Sequence, residues 1–226
     1  MTMSGDLRDA GREAGVMWIG LLALGIGFGV VVAGLGLPWW LAPTTATLMF
    51  AGSAEFVVVG MLAGGASVVA IAVTTALINA RHLFYGLTFP LSRVRGRAGQ
   101  AYSVYALCDE AYALITSKKS STVSSPRILW TQAGLHASWA VGALLGALVG
   151  ATLLVDVKGL GFILTALFLV LSIDALRHAD KTTAALAAAS SVVALAVAPH
   201  AMIVVALTVF TIASVIRHRT AKRRPE

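Results

Sequence analysis

The chain has 226 residues, of which 58% are hydrophobic and 12% are charged, and its mean hydropathy is +0.86. About a quarter of the residues in a soluble domain are charged, so this composition indicates an integral membrane protein with little sequence left for a soluble domain. The net charge of +7 collects in short clusters beside apolar runs. Cytoplasmic loops show this pattern under the positive-inside rule, and it argues against a basic face that binds nucleic acid.

The chain opens with the mixed-charge segment MTMSGDLRDAGREAG and continues into an apolar run over about 16–36. This run is too long for the core of a signal peptide and lacks a convincing cleavage site, so we expect it to form the first transmembrane helix. We expect a single membrane domain at 14–217, with cytoplasmic tails at 1–13 and 218–226.

Apolar runs recur along the chain and predict an all-α polytopic fold with about six to eight transmembrane helices. Prolines fall at or near the boundaries of the runs, as helix-ending residues should. The runs are continuous rather than alternating, which argues against a membrane barrel. The predicted spans are 14–36, 43–63, 66–89, 100–117, 131–155, 159–177, 182–198 and 200–217.

The basic clusters leave two topologies open. The C-terminal sequence RHRTAKRR favours cytoplasmic termini, and eight full spans then place the cluster at 118–127 inside but the cluster at 93–97 outside, against the positive-inside rule. If 43–63 and 100–117 are instead broken or re-entrant, six full spans remain and both clusters lie inside. Non-helical backbone at membrane depth is tolerated where it is buried or lines a cavity, as at the substrate sites of secondary transporters.

Three segments place ionisable residues within apolar runs, where each is costly unless it is paired or wetted. In AGSAEF, Glu55 follows small residues that would allow a break in the helix, and the freed backbone groups could hold a carboxylate or an ammonium. The alternative is a structural carboxylate that is paired with a neighbouring cation.

In NARHLFYG, residues 79–86, Asn79, His82 and Gly86 share one helical face and Arg81 and Tyr85 the adjacent one. These side chains either mark the membrane interface or supply partners for the acidic residues elsewhere.

In YSVYALCDEAY, residues 102–112, an aromatic and polar stripe is typical of a cavity wall, although a tyrosine stripe can also be an interface belt. Its members are Tyr102, Tyr105, Asp109 and Tyr112, with Glu110 rotated off the stripe by about 100°.

The remaining polar residues suggest no further site. His136, in HASW, is expected near a span entrance and Trp139 to be a packing or interface aromatic, while the histidines at 178, 200 and 218 fall at span ends and loops. With Cys108 as the sole cysteine and no histidine pair at ligand spacing, we predict no metal and no cofactor. Glycines at four-residue spacing in GALLGALVG and at Gly25/Gly29 indicate close helix packing.

The segments FAGSAEFVVVGMLAGG, NARHLFYG and LCDEAYAL, in this order and spacing, resemble the AzlC family of branched-chain amino acid permeases. The resemblance implies export of leucine, isoleucine or valine across a bacterial inner membrane, together with a small multi-span AzlD-like partner. Glu55 stands where the family pattern has Gln, and Cys108 where it has Thr. The positions that match the motifs are Gly52, Ser53, Phe56, Arg81, His82, Tyr85, Gly86, Asp109 and Glu110.

The leading hypothesis is an alternating-access transporter subunit whose site lies near mid-membrane. Glu55 and the backbone around Gly52 and Ser53 would contact the substrate, and Arg81, His82, Asp109 and Glu110 would form a charged network, with Asn79 and Tyr105 nearby. Two other classes remain open. One is an intramembrane enzyme with a Ser53–His82 dyad, and the other is an accessory subunit that has no substrate site of its own.

Overall fold

The computed structural model describes residues 3–116, 123–153, 180–199 and 202–221 and isolated positions between 165 and 177, without a few side chains such as those of Arg81 and His218. All the regular elements within these residues are helical, as the sequence predicts. They are α1 (Met3–Gly34), α2 (Leu41–Leu48), α3 (Ser53–Ala63), α4 (Val68–Asn79), α5 (Arg81–Thr88), a 3-10 turn (Leu91–Arg93), α6 (Arg97–Tyr105), α7 (Asp109–Thr116), α8 (Ser125–Leu153), α9 (Lys181–Val197) and α10 (Met202–Ala221). The basic residues Lys118, Lys119, Lys222, Arg223 and Arg224, His178, His200 and most of the predicted span 159–177 lie outside the described residues.

Three described stretches are long and apolar enough to cross a membrane, namely Gly5–Gly34, Val68–Thr88 and Ser125–Thr152. The first and third belong to one compact unit, 1–63 with 79–163, and most of the second belongs to another, 64–78 with 164–226. Two predicted spans, 43–63 and 100–117, are each interrupted by non-helical residues. The prediction that these segments are broken is therefore confirmed.

Helices α1 and α8 run parallel in the first unit. At their first turns, Ser124 donates to Asp6 Oδ1 at 2.7 Å, and further along the Trp18 indole donates to the Thr131 carbonyl at 3.3 Å. An ion pair between Arg127 and Glu13 also joins these ends. The N-terminal segment and the start of α8 therefore lie at the same end of the pair.

A glycine seam continues this contact along α1 and α8. A Cβ atom placed on Gly25 would lie 2.6 Å from the Trp139 carbonyl oxygen, and one on Gly150 would lie 2.6 Å from Ala33 Cβ. A Cβ on Gly29, Gly142 or Gly146 would overlap the backbone of the facing helix. The glycine spacing seen in the sequence thus packs two backbones directly against each other, as small-residue motifs do in membranes.

The segment from α6 to α7 runs along α8 and then doubles back toward the start of that helix. Just before α6, the Arg95 amide donates to Ser125 Oγ at the start of α8 at 2.9 Å. The end of α6 approaches the middle of α8, where the Tyr102 hydroxyl lies 3.4 Å from His136 Nδ1, and α7 then returns to border a small cavity beside Arg127. The basic loop at 93–97 therefore lies at the same end as the N-terminal segment. Eight full spans would place this loop at the opposite end, against the positive-inside rule, and the observed arrangement does not.

The second unit contains α4, α9 and α10. Helices α9 and α10 are antiparallel, because Arg217 near the end of α10 donates to Asp180 Oδ2 at 3.0 Å and to Thr183 Oγ1 at 2.9 Å. Asp180 also caps α9 by accepting from the Thr183 amide at 2.7 Å. Arg217 therefore ties the end of α10 to the capped start of α9.

Candidate functional site

The interruption between α2 and α3 is a tight turn with two residues in the left-handed region. Phe50 has φ +42° and Gly52 has φ +55°. Gly52 adopts this conformation without a Cβ penalty, whereas Phe50 does so at a cost of about 1–2 kcal/mol. The Ala51 and Gly52 amides, just before α3, have no helical carbonyl to bind, and they donate instead to a side chain from the first turn of α3.

Glu55, the third residue of α3, reaches back to these amides. Its Oε1 accepts from the Ala51 amide at 2.8 Å and from the Gly52 amide at 3.3 Å. This is the reach-back half of a capping box, in which either Glu or Gln serves at the third position. The local geometry therefore accommodates both the Glu present in this chain and the Gln expected from the family pattern.

Trp139 of α8 supplies the third donor to Glu55, with its indole Nε1 3.0 Å from Oε1. Glu55 is only 1% exposed, and its Oε2 has no hydrogen-bond partner among the described residues. Trp139 belongs to a cluster of three rings, in which the centroids of Phe28 and Phe56 are 5.1 Å apart and Phe28 stacks on Trp139 at 5.7 Å. The alternative of a structural carboxylate that is paired with a cation finds no such pair among the described contacts, and neutral N–H groups hold the carboxylate.

His136, one turn before Trp139, binds the exposed end of α2. Its Nε2 lies 3.2 Å from the Thr47 carbonyl, and the Tyr105 hydroxyl donates to the same oxygen. Because a carbonyl only accepts, Nε2 carries a proton, and in the neutral imidazole Nδ1 accepts from the Tyr102 hydroxyl. The ring also packs on Phe50, with the centroids 4.7 Å apart. His136 therefore links the two broken segments.

Gln132, one turn earlier again, binds the interruption between α6 and α7. Its Nε2 donates to the carbonyls of Ser103 at 2.8 Å and Ala106 at 3.3 Å. Gln132 and Ser103 are fully buried, and Gln132 Oε1 and Ser103 Oγ have no partner among the described residues. The carbonyls at the end of α6 thus receive a donor from the same helix that holds the first break.

Gln132, His136 and Trp139, which we name the α8 polar stripe, therefore hold both chain breaks at the middle of α8. The structure places His136 well inside α8 rather than close to the start of the helix. The helix begins at Ser125 rather than near 131, because Ser124 caps it and Pro126 sits in the first turn, where a missing amide costs nothing. Spacing of i, i+4 and i+7 in TQAGLHASW was the signal that places the three side chains on one face.

The predicted stripe through 102–112 is not one helical face, because Ala106–Cys108 interrupt the helix. Tyr102 and Tyr105 on α6 contact His136, as described above. Asp109 and Tyr112 on α7 instead meet α5: the Tyr85 hydroxyl donates to Asp109 Oδ1 at 2.8 Å, and the Tyr85 and Tyr112 rings stack at 4.4 Å. The break therefore divides the predicted cavity wall into two separate clusters of side chains, one around His136 and the other around Tyr85.

Tyr85 is the centre of the second of these clusters, which we name the Tyr85 group. The His82 ring packs edge-on against it with centroids 5.3 Å apart, and His82 Nδ1 lies 3.1 Å from the Asn79 carbonyl. The Thr88 and Tyr112 hydroxyls are 2.7 Å apart. The predicted network is thus partly assembled, with His82 and Asp109 on either side of one tyrosine, while the side chain of Arg81 lies outside the described residues.

The other predicted site residues have less defined surroundings. Ser53 is the first residue of α3 and is half-buried, as is Glu110 in the first turn of α7. Gly86 is exposed, and nothing lies within 4 Å of where its Cβ would be. Among the described residues, no group of three or more His, Cys, Asp or Glu side chains is arranged to hold a metal ion.

A family model described as AzlC protein matches residues 16–153, from α1 to the end of α8. The chain belongs to the AzlC family. The branched-chain amino acid transport protein AzlC of Bacillus subtilis is 31% identical over 173 residues, which cover 75% of this chain and 68% of that protein. An uncharacterized membrane protein of Helicobacter pylori strain J99 is 30% identical over 193 residues, 84% of either chain. Inner membrane protein YgaZ of Escherichia coli is 29% identical over 168 residues, 69% of this chain and 68% of that protein. No solved structure matches the chain.

The residues that match the AzlC family model contain the candidate site. Both broken segments and the α8 polar stripe fall inside the matched residues, whereas α9 and α10 lie beyond them. The resemblance seen in three short motifs is therefore confirmed, and the site described above belongs to the part of the chain that defines the family.

Proposed function

We propose that this AzlC-family protein transports amino acids across a membrane, with branched-chain amino acids as the substrate class. The substrate class follows from the name of the Bacillus subtilis relative. The observation that carries a transport function is the meeting of two interrupted helices at the α8 polar stripe, because broken helices expose the backbone groups with which secondary transporters bind substrates and ions.

The substrate site in this proposal lies around Glu55, beside the turn at Gly52 and Ser53. The buried carboxylate, the neighbouring imidazole of His136 and the amides of Ala51 and Gly52 provide groups for both charged ends of an amino acid. The rings of Phe28 and Phe56 provide apolar surface next to them. An accessory subunit without a site would carry its polar groups at span ends, whereas Glu55 is buried at the level of mid-α8.

Direction and coupling form a finer part of the proposal. The end of the first unit that carries the basic loop at 93–97, Arg127 and the N-terminal segment is the cytoplasmic end under the positive-inside rule. Transport proceeds by alternating access, in the direction of export across the bacterial inner membrane, together with a small AzlD-like membrane subunit. The Tyr85 group, with Arg81, His82, Asp109 and Glu110, changes its pairing between states.

A Ser53–His82 protease dyad receives no support from the described contacts. His82 binds the Asn79 carbonyl and packs on Tyr85, and Ser53 forms the start of α3. We therefore retain transport as the single proposed function.

The test is efflux of radiolabelled leucine from loaded proteoliposomes, with and without the co-purified small partner. Trp139→Phe removes the indole donor to Glu55 while keeping an aromatic ring, and we expect a loss of about tenfold in initial efflux rate, since a hydrogen bond to a charged group contributes about 1.5–3 kcal/mol. The matched control is Trp130→Phe, because Trp130 lies on the same helix but lines a groove with Leu129. Absence of amino-acid efflux in every preparation, or equal effects of the two substitutions, would refute the proposal.

A further inference from the structure

Glu55 accepts all three of its hydrogen bonds on one oxygen. The donors are the Ala51 amide, the Gly52 amide and the Trp139 indole, at 2.8, 3.3 and 3.0 Å from Oε1. An ionised carboxylate has two oxygens with about four acceptor positions between them. Oε2 is buried and has no partner among the described residues. The donors therefore form a compact site for a single carboxylate oxygen, and the Thr45 side chain also lies near the carboxylate.

The backbone around this oxygen has the form of an anion site. Phe50 and Gly52 both adopt positive φ, and such turns direct successive amides toward one concave side. The turn also lies at the first turn of α3, an eleven-residue helix whose dipole favours negative charge there. A phenylalanine held in the left-handed region shows that the chain maintains this turn against its own preference.

The occupant of the anion site is a carboxylate of the same chain. A free amino acid carries the same chemical group, with an ammonium on the adjacent carbon. We propose that the Ala51, Gly52 and Trp139 donors bind the α-carboxylate of the substrate, and that Glu55 is a tethered occupant that the substrate displaces and then engages through its ammonium. This inference rests on the proposed function, because it assigns the two ends of an amino-acid substrate within that site.

A charge balance explains why the exchange would favour zwitterions. Displacement by a simple carboxylate would leave the Glu55 carboxylate buried without its three donors, which is strongly unfavourable. An amino acid replaces one carboxylate by another at the donors and supplies a cation to the released one. Glu55 therefore excludes simple carboxylic acids and admits α-amino acids.

The test compares equilibrium binding of leucine and of isocaproate, which is leucine without its ammonium, to the purified full-length protein in nanodiscs. Wild type should bind leucine at least about tenfold more tightly than isocaproate. In Glu55→Ala the donors are vacant, so isocaproate affinity should rise about tenfold or more while leucine affinity falls. Unchanged or weaker isocaproate binding in Glu55→Ala would overturn the inference.

A second variant guards against loss of folding. Glu55→Gln keeps an oxygen that accepts from the same amides but has no charge to pair with an ammonium. It should retain the wild-type melting temperature, lose leucine affinity and gain isocaproate affinity. A Glu55→Gln protein that melts normally and keeps the wild-type preference for leucine over isocaproate also contradicts the inference.

The outcomes separate this inference from the proposed function. If leucine is transported but neither Glu55 variant changes the preference between the two ligands, transport stands and the exchange does not. If no amino acid binds wild type or is transported, while isocaproate binds Glu55→Ala, the donors are an anion site in a protein with another function, and both proposals fail in their present form.

Discussion

The glycine seam between α1 and α8 gives a sharp prediction for Gly29. A Cβ atom added there would lie 2.7 Å from the carbonyl carbon of Gly146 and would overlap the carbonyl of Ala143 as well. These atoms are backbone and cannot move aside like a flexible side chain, so Gly29→Ala must push the helices apart. Such overpacking costs about 1–3 kcal/mol. At about 2–4 °C for each kcal/mol in a domain of this size, the melting temperature should fall by roughly 2–12 °C.

Gly27, two residues away on the same helix, is the matched control. Nothing lies within 4 Å of where its Cβ would be, and alanine is a better helix former than glycine, so Gly27→Ala should melt at or slightly above the wild-type temperature. The chain supplies its own reporter, because Cys108 is the sole cysteine and is only 9% exposed. A maleimide dye that fluoresces on reaction therefore follows unfolding of the detergent-solubilised protein. Equal melting temperatures for Gly29→Ala and Gly27→Ala would refute the close contact.

Two further predictions concern the second break and the α9–α10 pair. Gln132→Met should leave two carbonyls at the end of α6 without their donor, at a cost of about 1–3 kcal/mol. Because this cost favours opening of the segment that contains Cys108, maleimide should label Cys108 in the native state about tenfold faster or more. An unchanged labelling rate would contradict the assigned contact. The Asp180 pKa lies well below its ordinary value, chiefly because the Thr183 amide and then Arg217 donate to the carboxylate. The stability that this carboxylate gives is therefore present above the ordinary pKa of about 4 and is lost as the pH falls through the lower folded-state value. In hydrogen exchange, protection of the first turn of α9 should fall on acidification in wild type. It should be low at every pH in Asp180→Ala, which removes the capping oxygen, so a variant with wild-type protection would contradict the contact.

Much of the fold was predictable because hydropathy and spacing report membrane burial directly. Continuous apolar runs gave the all-α fold, and the conflict over the 93–97 loop pointed correctly to broken segments at 43–63 and 100–117. The glycine spacing identified a close packing face but not its partner. Helices α1 and α8 are far apart in the sequence, and the glycine spacing in each does not indicate which other helix packs against it.

The candidate site was predicted in part. Glu55 was singled out because a buried carboxylate is costly, but its partners are neutral amides and an indole rather than a cation. His136 and Gln132 were missed because the span was taken to begin at 131 rather than at Ser125, which moved both residues from the interior of α8 to its start. The stripe of tyrosines failed for a related reason, since helical spacing has no meaning across the break at Ala106–Cys108.

The seam between α1 and α8 also limits how the site can open. Backbone atoms of the two helices meet directly at the glycines, so a shift along the seam would drive Cα atoms into carbonyls, and a separation would open a void along much of both helices. The two broken segments meet α8 through side-chain hydrogen bonds and ring contacts with the α8 polar stripe, and side-chain contacts can exchange one at a time. Any motion that exposes Glu55 should therefore leave α1 and α8 as a fixed frame and carry α2–α3 or α6–α7 across it, so that cross-linking α1 to α8 would be compatible with turnover.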